Sequence, residues 1–282
     1  MTRLPRLLAF IAACTISALA IAQSQDPPAT AEAAEAVETP APQAEQDAPA
    51  ADPAGESTGK PSSKPYVDLR RAKPIAGNAA AGQAKSELCA ACHGPQGISP
   101  VPTFPNLAGQ RADFLYWQLV EFKRNPDSPM SPLVAELSNQ DMLDFAAYYA
   151  GLAPTATPAE PDADVEAEAA PADATLARRG EQIYMSGDPS RGIPPCQGCH
   201  GPDAGGHVNA LHADRDGHAP YAAYPALRGQ QAIYLQTKLA EYRNGKMRDS
   251  TTDFVMTGVG ERLDDDSIGA LSAWLSSLPP GP

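Results

Sequence analysis

Blocks of this sequence recur in the same order in its second half, and that duplication limits what the chain can fold into more than any other feature. CAACHGP at 89–95 returns as CQGCHGP at 196–202, and FPNLAGQ at 104–110 returns as YPALRGQ at 224–230. The stretch MSPLVAELSNQDM from Met130 returns as MTGVGERLDDDSI from Met256. Two copies are too few for a solenoid, whose short repeats need several neighbours to bury a core. The chain therefore reads as two tandem domains, 66–152 and 176–282.

Each copy has the pattern of a small helical domain. Asn78 or Asp173 can cap a first helix that runs toward the cysteine block. Leu115, Leu119 and Phe122 form an i, i+4, i+7 stripe on a second helix, and Leu235, Leu239 and Tyr242 repeat it. A third helix starts at Ser138, with Asp141 completing a capping box, or at Asp264, and carries Tyr148 or Trp274 at equivalent places. No alternating strand pattern is present. Domains this small with so few short helices have thin cores, so something large and apolar is expected to fill each one.

The 282-residue chain has a net charge of −13, and most of it sits outside the repeats. Residues 23–65 hold eight acids and two lysines, and 153–175 hold six acids and no base. Both stretches are rich in Ala, Pro and Glu and are expected to be extended linkers. The repeats themselves are near neutral, so nothing suggests nucleic-acid binding. Residues 1–22 carry Arg3 and Arg6, an apolar run and a small-x-small end, the pattern of an export signal. An uncleaved anchor is the alternative reading. Export implies an oxidising compartment.

Beyond Cys14 in that leader, the cysteines form two C-x-x-C-H motifs: Cys89, Cys92 and His93, then Cys196, Cys199 and His200. A four-cysteine zinc site would join pairs from different repeats and leave both histidines unexplained. A redox dithiol lacks its strand–helix context, and vicinal disulfides give the histidines no role. The remaining chemistry is attachment of haem c: the thiols form thioethers with the vinyl groups, and the next histidine ligates the iron. Two covalently bound haem c groups are expected.

The ligand opposite each histidine decides whether the iron only carries electrons. The five histidines are His93, His200, His207, His212 and His218, so the first repeat has no second one. Methionine is the other strong axial ligand. Met130 sits in the proline-dense NPDSPMSPLV, expected to be non-helical, whereas Met142 falls inside a helix as core filler. Of Met185, Met247 and Met256, Met256 stands seven positions before Leu263, as Met130 stands before Leu137. Met247 lies among charged neighbours and is expected to be solvated.

With P-x-L-x-G-Q and a loop methionine following each C-x-x-C-H, the chain from about 76 to 278 resembles the dihaem cytochrome c4 family. The resemblance implies an all-α fold of two tandem class I cytochrome c domains, each wrapped around one covalent haem. It also implies that the Pro105 and Pro225 carbonyls accept from Nδ1 of His93 and His200. The sequence departs from the family in its long 153–175 connection, which argues against a tightly docked domain pair, and in the added 23–65 tail. It departs again between His200 and Pro225, where an insert at 205–219 brings His207, His212, His218, Asp214 and Asp216. That insert reads as a polar loop, with a surface metal site or a replacement iron ligand as alternatives.

The expected function is single-electron shuttling in the periplasm, with membrane contact only through partners or an uncleaved anchor. By resemblance, electrons come from a quinol-oxidising cytochrome bc complex and leave to a terminal haem-copper oxidase. The alternatives are a cytochrome subunit of a periplasmic dehydrogenase of the flavocytochrome c type, or a dihaem peroxidase.

Overall fold

A computed structural model describes residues 67–155 and 170–281. The expected leader and the 23–65 tail lie outside the described residues, as does most of the 153–175 connection. No described helix is long and apolar enough to cross a membrane.

The duplication is visible element by element. In the first lobe α1 (Ala79–Gln83), α2 (Glu87–His93), α3 (Ala112–Arg124), α4 (Ser131–Val134) and α5 (Asn139–Ala150) follow in order. In the second, α6 (Ala170–Ser186), α7 (Gln197–His200), α8 (Ala232–Arg243), α9 (Thr251–Gly260) and α10 (Asp265–Ser277) take the same places. Among the described residues only isolated bridges stand in for strands.

The local sequence explains most of the boundaries. Asn78 accepts from the backbone of Ala80 and Ala81 to start α1, and Ser138 with Asp141 forms the capping box of α5. Asp264 accepts from Ser267 to start α10. Position 173, in contrast, falls inside α6 instead of capping it, because α6 begins at Ala170 within the stretch expected to be linker. Alanine has the highest helix propensity and proline is tolerated in a first turn, so the APADAT sequence extends the helix.

In each lobe the first helix crosses the last at a glycine. Gly82 of α1 and Gly180 of α6 are both buried; a Cβ at Gly82 would lie 2.2 Å from the Asp144 oxygen, and one at Gly180 would lie 2.0 Å from the Ala270 oxygen. Helix backbones come this close only where a side chain is missing. The second crossing anchors a core of Ile183, Tyr184, Leu235, Ile268, Leu271 and Leu275. There the Tyr184 ring packs on Trp274 at 4.7 Å between centroids. Of the expected helix stripes, Leu115 and Leu235 are buried, while Leu119, Phe122, Leu239 and Tyr242 are half-buried.

The two lobes are docked against one another, contrary to what the long connection suggested. Residues 67–72 leave the first lobe to lie along the second: Val67 N donates to Asp249 O at 3.1 Å, Thr251 N to Val67 O at 3.0 Å, and Ala219 N to Ala72 O at 2.8 Å. Val67, Leu69, Ala72 and Ala223 form a small core there with Trp117 of α3 packed against it. A connection's length does not decide docking when other segments, here residues 67–72, bury the surface. Glu121 of α3 and Asp253 of α9, 3% and 2% exposed, also meet across this interface.

Candidate haem-binding sites

In both copies the cysteine block winds into a short helix that ends on its histidine, and a glycine then reverses the chain. Gly94 and Gly201 take φ of +78° and +81°, the left-handed region glycine enters at no steric cost. A Cβ at Gly94 would lie 2.0 Å from the Ile98 oxygen, and one at Gly201 would lie 2.3 Å from the Gly206 oxygen. The sharp turn leads the chain back over the histidine and sets the following proline beside its ring. His93 Nδ1 lies 2.9 Å from the Pro105 oxygen and His200 Nδ1 lies 3.1 Å from the Pro225 oxygen. A carbonyl can only accept, so both rings carry their proton on Nδ1 and leave Nε2 with its lone pair. Burial lowers both imidazole pKa values, which favours the neutral, ligating form. In the second lobe the Tyr184 hydroxyl donates to the Gly201 oxygen at 2.6 Å, tying the helix crossing to the turn behind His200.

The four cysteines are free thiols, three partly buried and Cys199 exposed. Burial raises Cys89 and Cys199 and pushes Cys196 up to about 11, the opposite of the depressed pKa that a redox-active dithiol needs. The donor set of each lobe is thus two unpaired thiols one helical turn apart, an oriented imidazole and an apolar helix stripe. Two buried donors, Arg111 Nε and Trp117 Nε1, have no partner among the described residues, which suits a group that brings carboxylates of its own. These residues fit haem c.

The methionines sit differently from expectation. Met130 is the N-cap of α4, with helical backbone angles, and Pro132 falls in the first turn of a helix where the sequence suggested none. Proline in a first turn removes no intrahelical hydrogen bond, so a proline-dense segment can still wind once. Met256 lies inside α9, not in a loop, because Ser250 caps that helix by accepting from Asp253 N. Both side chains are partly buried, and so is Met247, which the charged neighbours suggested would be solvated. Met142 is 5% exposed in the core, as its helical position implied.

The insert is closed by its own hydrogen bonds. Asp214 Oδ1 accepts from the backbone N–H of Asp216 and His218, and His218 Nδ1 lies 3.1 Å from Asp214 Oδ2. This turn brings Asp214, Asp216 and His218 together with no need for an ion. His207 stacks on Tyr221 at 3.9 Å and makes an edge contact with Tyr224, whose ring neighbours His200.

Sequence reading passed over Gln110 and Gln230. Each is about 8% exposed and reaches into the opposite lobe. Gln110 accepts from Ala226 N at 2.9 Å and donates to Ala226 O at 2.9 Å. Gln230 accepts from Asn106 N at 2.8 Å and donates to Asn106 O at 3.0 Å. The available signal was a polar residue recurring at the end of both P-x-L-x-G-Q blocks where a lone domain would have no use for it. The pairing is reciprocal, as in an isologous dimer contact.

Comparison with known proteins converges on one family. The family model described as cytochrome c matches residues 177–279. Cytochrome c4 of Thiocapsa roseopersicina is 40% identical over 209 residues, covering 73% of this chain and 96% of the relative. The thiosulfate dehydrogenase electron acceptor of Thiomonas intermedia is 32% identical, covering 72% and 84%. The crystal structure of reduced recombinant cytochrome c4 from Pseudomonas stutzeri matches with a TM-score of 0.57 at 33% identity, covering 72% of this chain and all of that one.

Proposed function

The chain belongs to the dihaem cytochrome c4 family, an electron-transfer family with two covalent haem c groups, and on that premise we propose that it is a periplasmic carrier whose irons are both closed by methionine. Cys89 and Cys92 would hold one haem and Cys196 and Cys199 the other, with His93 and His200 as proximal ligands and Met130 and Met256 opposite them. Bound haem supplies one reversible electron per iron. The protein's residues orient the imidazoles through the Pro105 and Pro225 carbonyls, supply apolar walls that favour the ferrous state, and leave no coordination position for a substrate.

The observation that carries this reading is the matched pair of Nδ1 contacts to Pro105 and Pro225, which leaves Nε2 of both histidines available. It is tested by near-infrared absorption of the oxidised protein. The weak methionine–iron band should be present, and Met130→Ala and Met256→Ala should each remove about half of it. An unchanged band in Met256→Ala would overturn that assignment.

A cytochrome bc complex as electron donor and a haem-copper oxidase as acceptor remain the reading drawn from the family. The likeness to the thiosulfate dehydrogenase electron acceptor supports a second reading, in which a periplasmic dehydrogenase delivers the electrons. Reduction of the purified protein by that class of enzyme, against reduction by membranes with quinol, separates the two.

A further inference from the structure

The two cross-lobe glutamines end on the same peptide groups that hold the proximal histidines. The amide between Pro105 and Asn106 offers its carbonyl to His93 Nδ1 at 2.9 Å and its N–H to Gln230 Oε1 at 2.8 Å. In the other lobe, the amide between Pro225 and Ala226 offers its carbonyl to His200 Nδ1 at 3.1 Å and its N–H to Gln110 Oε1 at 2.9 Å. One peptide unit therefore stands between each histidine and a buried side chain of the opposite lobe. Each glutamine oxygen also accepts from the backbone N–H of the next residue in its own lobe, Arg111 or Gln231, which helps to orient the side-chain amide.

We propose that Gln230 tunes the haem held by His93, and Gln110 the haem held by His200, so that docking of the lobes lowers both reduction potentials. Hydrogen bonds in series polarise one another. When Gln230 Oε1 accepts from Asn106 N–H, electron density moves onto the Pro105 oxygen, and that oxygen pulls harder on the His93 Nδ1 proton. The imidazole becomes a stronger donor through Nε2, which stabilises ferric over ferrous iron. The glutamines touch neither iron nor imidazole and act through the peptide, as positioning and tuning residues. The proposal rests on His93 and His200 being axial ligands.

The test uses the full haem-loaded protein. NMR of the reduced wild type comes first: both imidazoles must show the large shifts of iron ligands, and their absence would end the ligand reading before any variant is made. In Gln230→Leu, the His93 Nδ1–H resonance should move toward a weaker hydrogen bond. In redox titration, its haem should show an about threefold higher ferrous-to-ferric ratio at fixed ambient potential, with the His200 haem unmoved. Gln110→Leu should give the mirror result. Gln230→Glu keeps an acceptor oxygen and should leave the His93 haem at or below its wild-type potential. Should Gln230→Leu part the lobes, seen as expansion in solution scattering, both haems should rise together. Unchanged potentials in either state, or a shift confined to the haem of the mutated lobe, would overturn the proposal.

Discussion

Replacing Gly180 by alanine is expected to destabilise the second lobe by about 3 kcal/mol or more and to lower the melting temperature by roughly 10 °C. The added Cβ would sit 2.0 Å from the Ala270 oxygen, 2.5 Å from its carbon and 2.9 Å from Trp274 Cβ. Two of these are backbone atoms of α10, and the Ala270 side chain is fully buried, so no side chain can rotate away and the helices must separate. Separation would loosen the Tyr184–Trp274 contact and, through the Tyr184 hydroxyl, the turn behind His200. Gly269, on the facing helix α10, is the control: a Cβ there meets nothing within 4 Å, and Gly269→Ala should stabilise by up to about 1 kcal/mol through helix propensity. Thermal unfolding of the haem-loaded variants by circular dichroism decides the matter. A Gly180→Ala protein as stable as the wild type would mean that the crossing is looser than described.

Stability and lobe docking should fall as pH rises from about 5 to about 9, and Glu121→Gln should abolish most of that fall. Glu121 is pushed up to about 8, first because burial disfavours its charged form and then because Asp253 faces it from α9. Asp253 is raised by burial too, and Asp249 adds a further negative charge to both. Tyr242 Oη donates to Asp253 at 3.1 Å, and Gln118 Nε2 donates to Glu121 at 2.6 Å. The sign follows from proton counting. Between the unfolded carboxylate pKa of about 4.3 and the folded value, the native state binds more protons than the unfolded chain, so raising the pH favours unfolding. The stabilisation is whole below the unfolded pKa and lost above the folded one. One proton contributes a slope of at most about 1.4 kcal/mol per pH unit in that window. Glutamine imitates the protonated acid, so the variant should match the wild type near pH 5 and exceed it at pH 9. Denaturant midpoints across that range provide the measurement. A wild-type stability that rises through the window would show the carboxylates to be ionised in the docked state.

Several parts of the fold were legible in the residues because their causes are local. In both lobes the C-x-x-C-H block brings two thiols and an imidazole together on a short helix and its cap. Ser138 with Asp141, Asn78 and Asp264 cap helices with side chains a few positions from their targets. Met142 read as core from its position in a helix, and it is buried. The repeat itself foretold that α1 to α5 would have counterparts in α6 to α10.

Other features depend on partners distant in sequence. Whether proline and methionine at 129–132 form a loop or a turn of helix depends on tertiary packing; Met130 is itself the cap of α4, whereas the cap of α9 is Ser250, so Met256 falls inside that helix. The docking of the lobes could not be inferred from the length of their connection, since it is made by the run at 67–72, which carries one 3-10 turn at Leu69–Arg71, and by glutamines reaching more than a hundred residues along the chain. Sequence alone determined the chemistry of attachment and the doubling of the domain, because both are written in contiguous residues. Only the tertiary structure decided that His93 and His200 each share a peptide with the opposite lobe, and that two carboxylates face each other in the seam. Hydrogen bonds and charges act over a few ångströms, and only the folded chain brings residues so far apart in sequence within that reach.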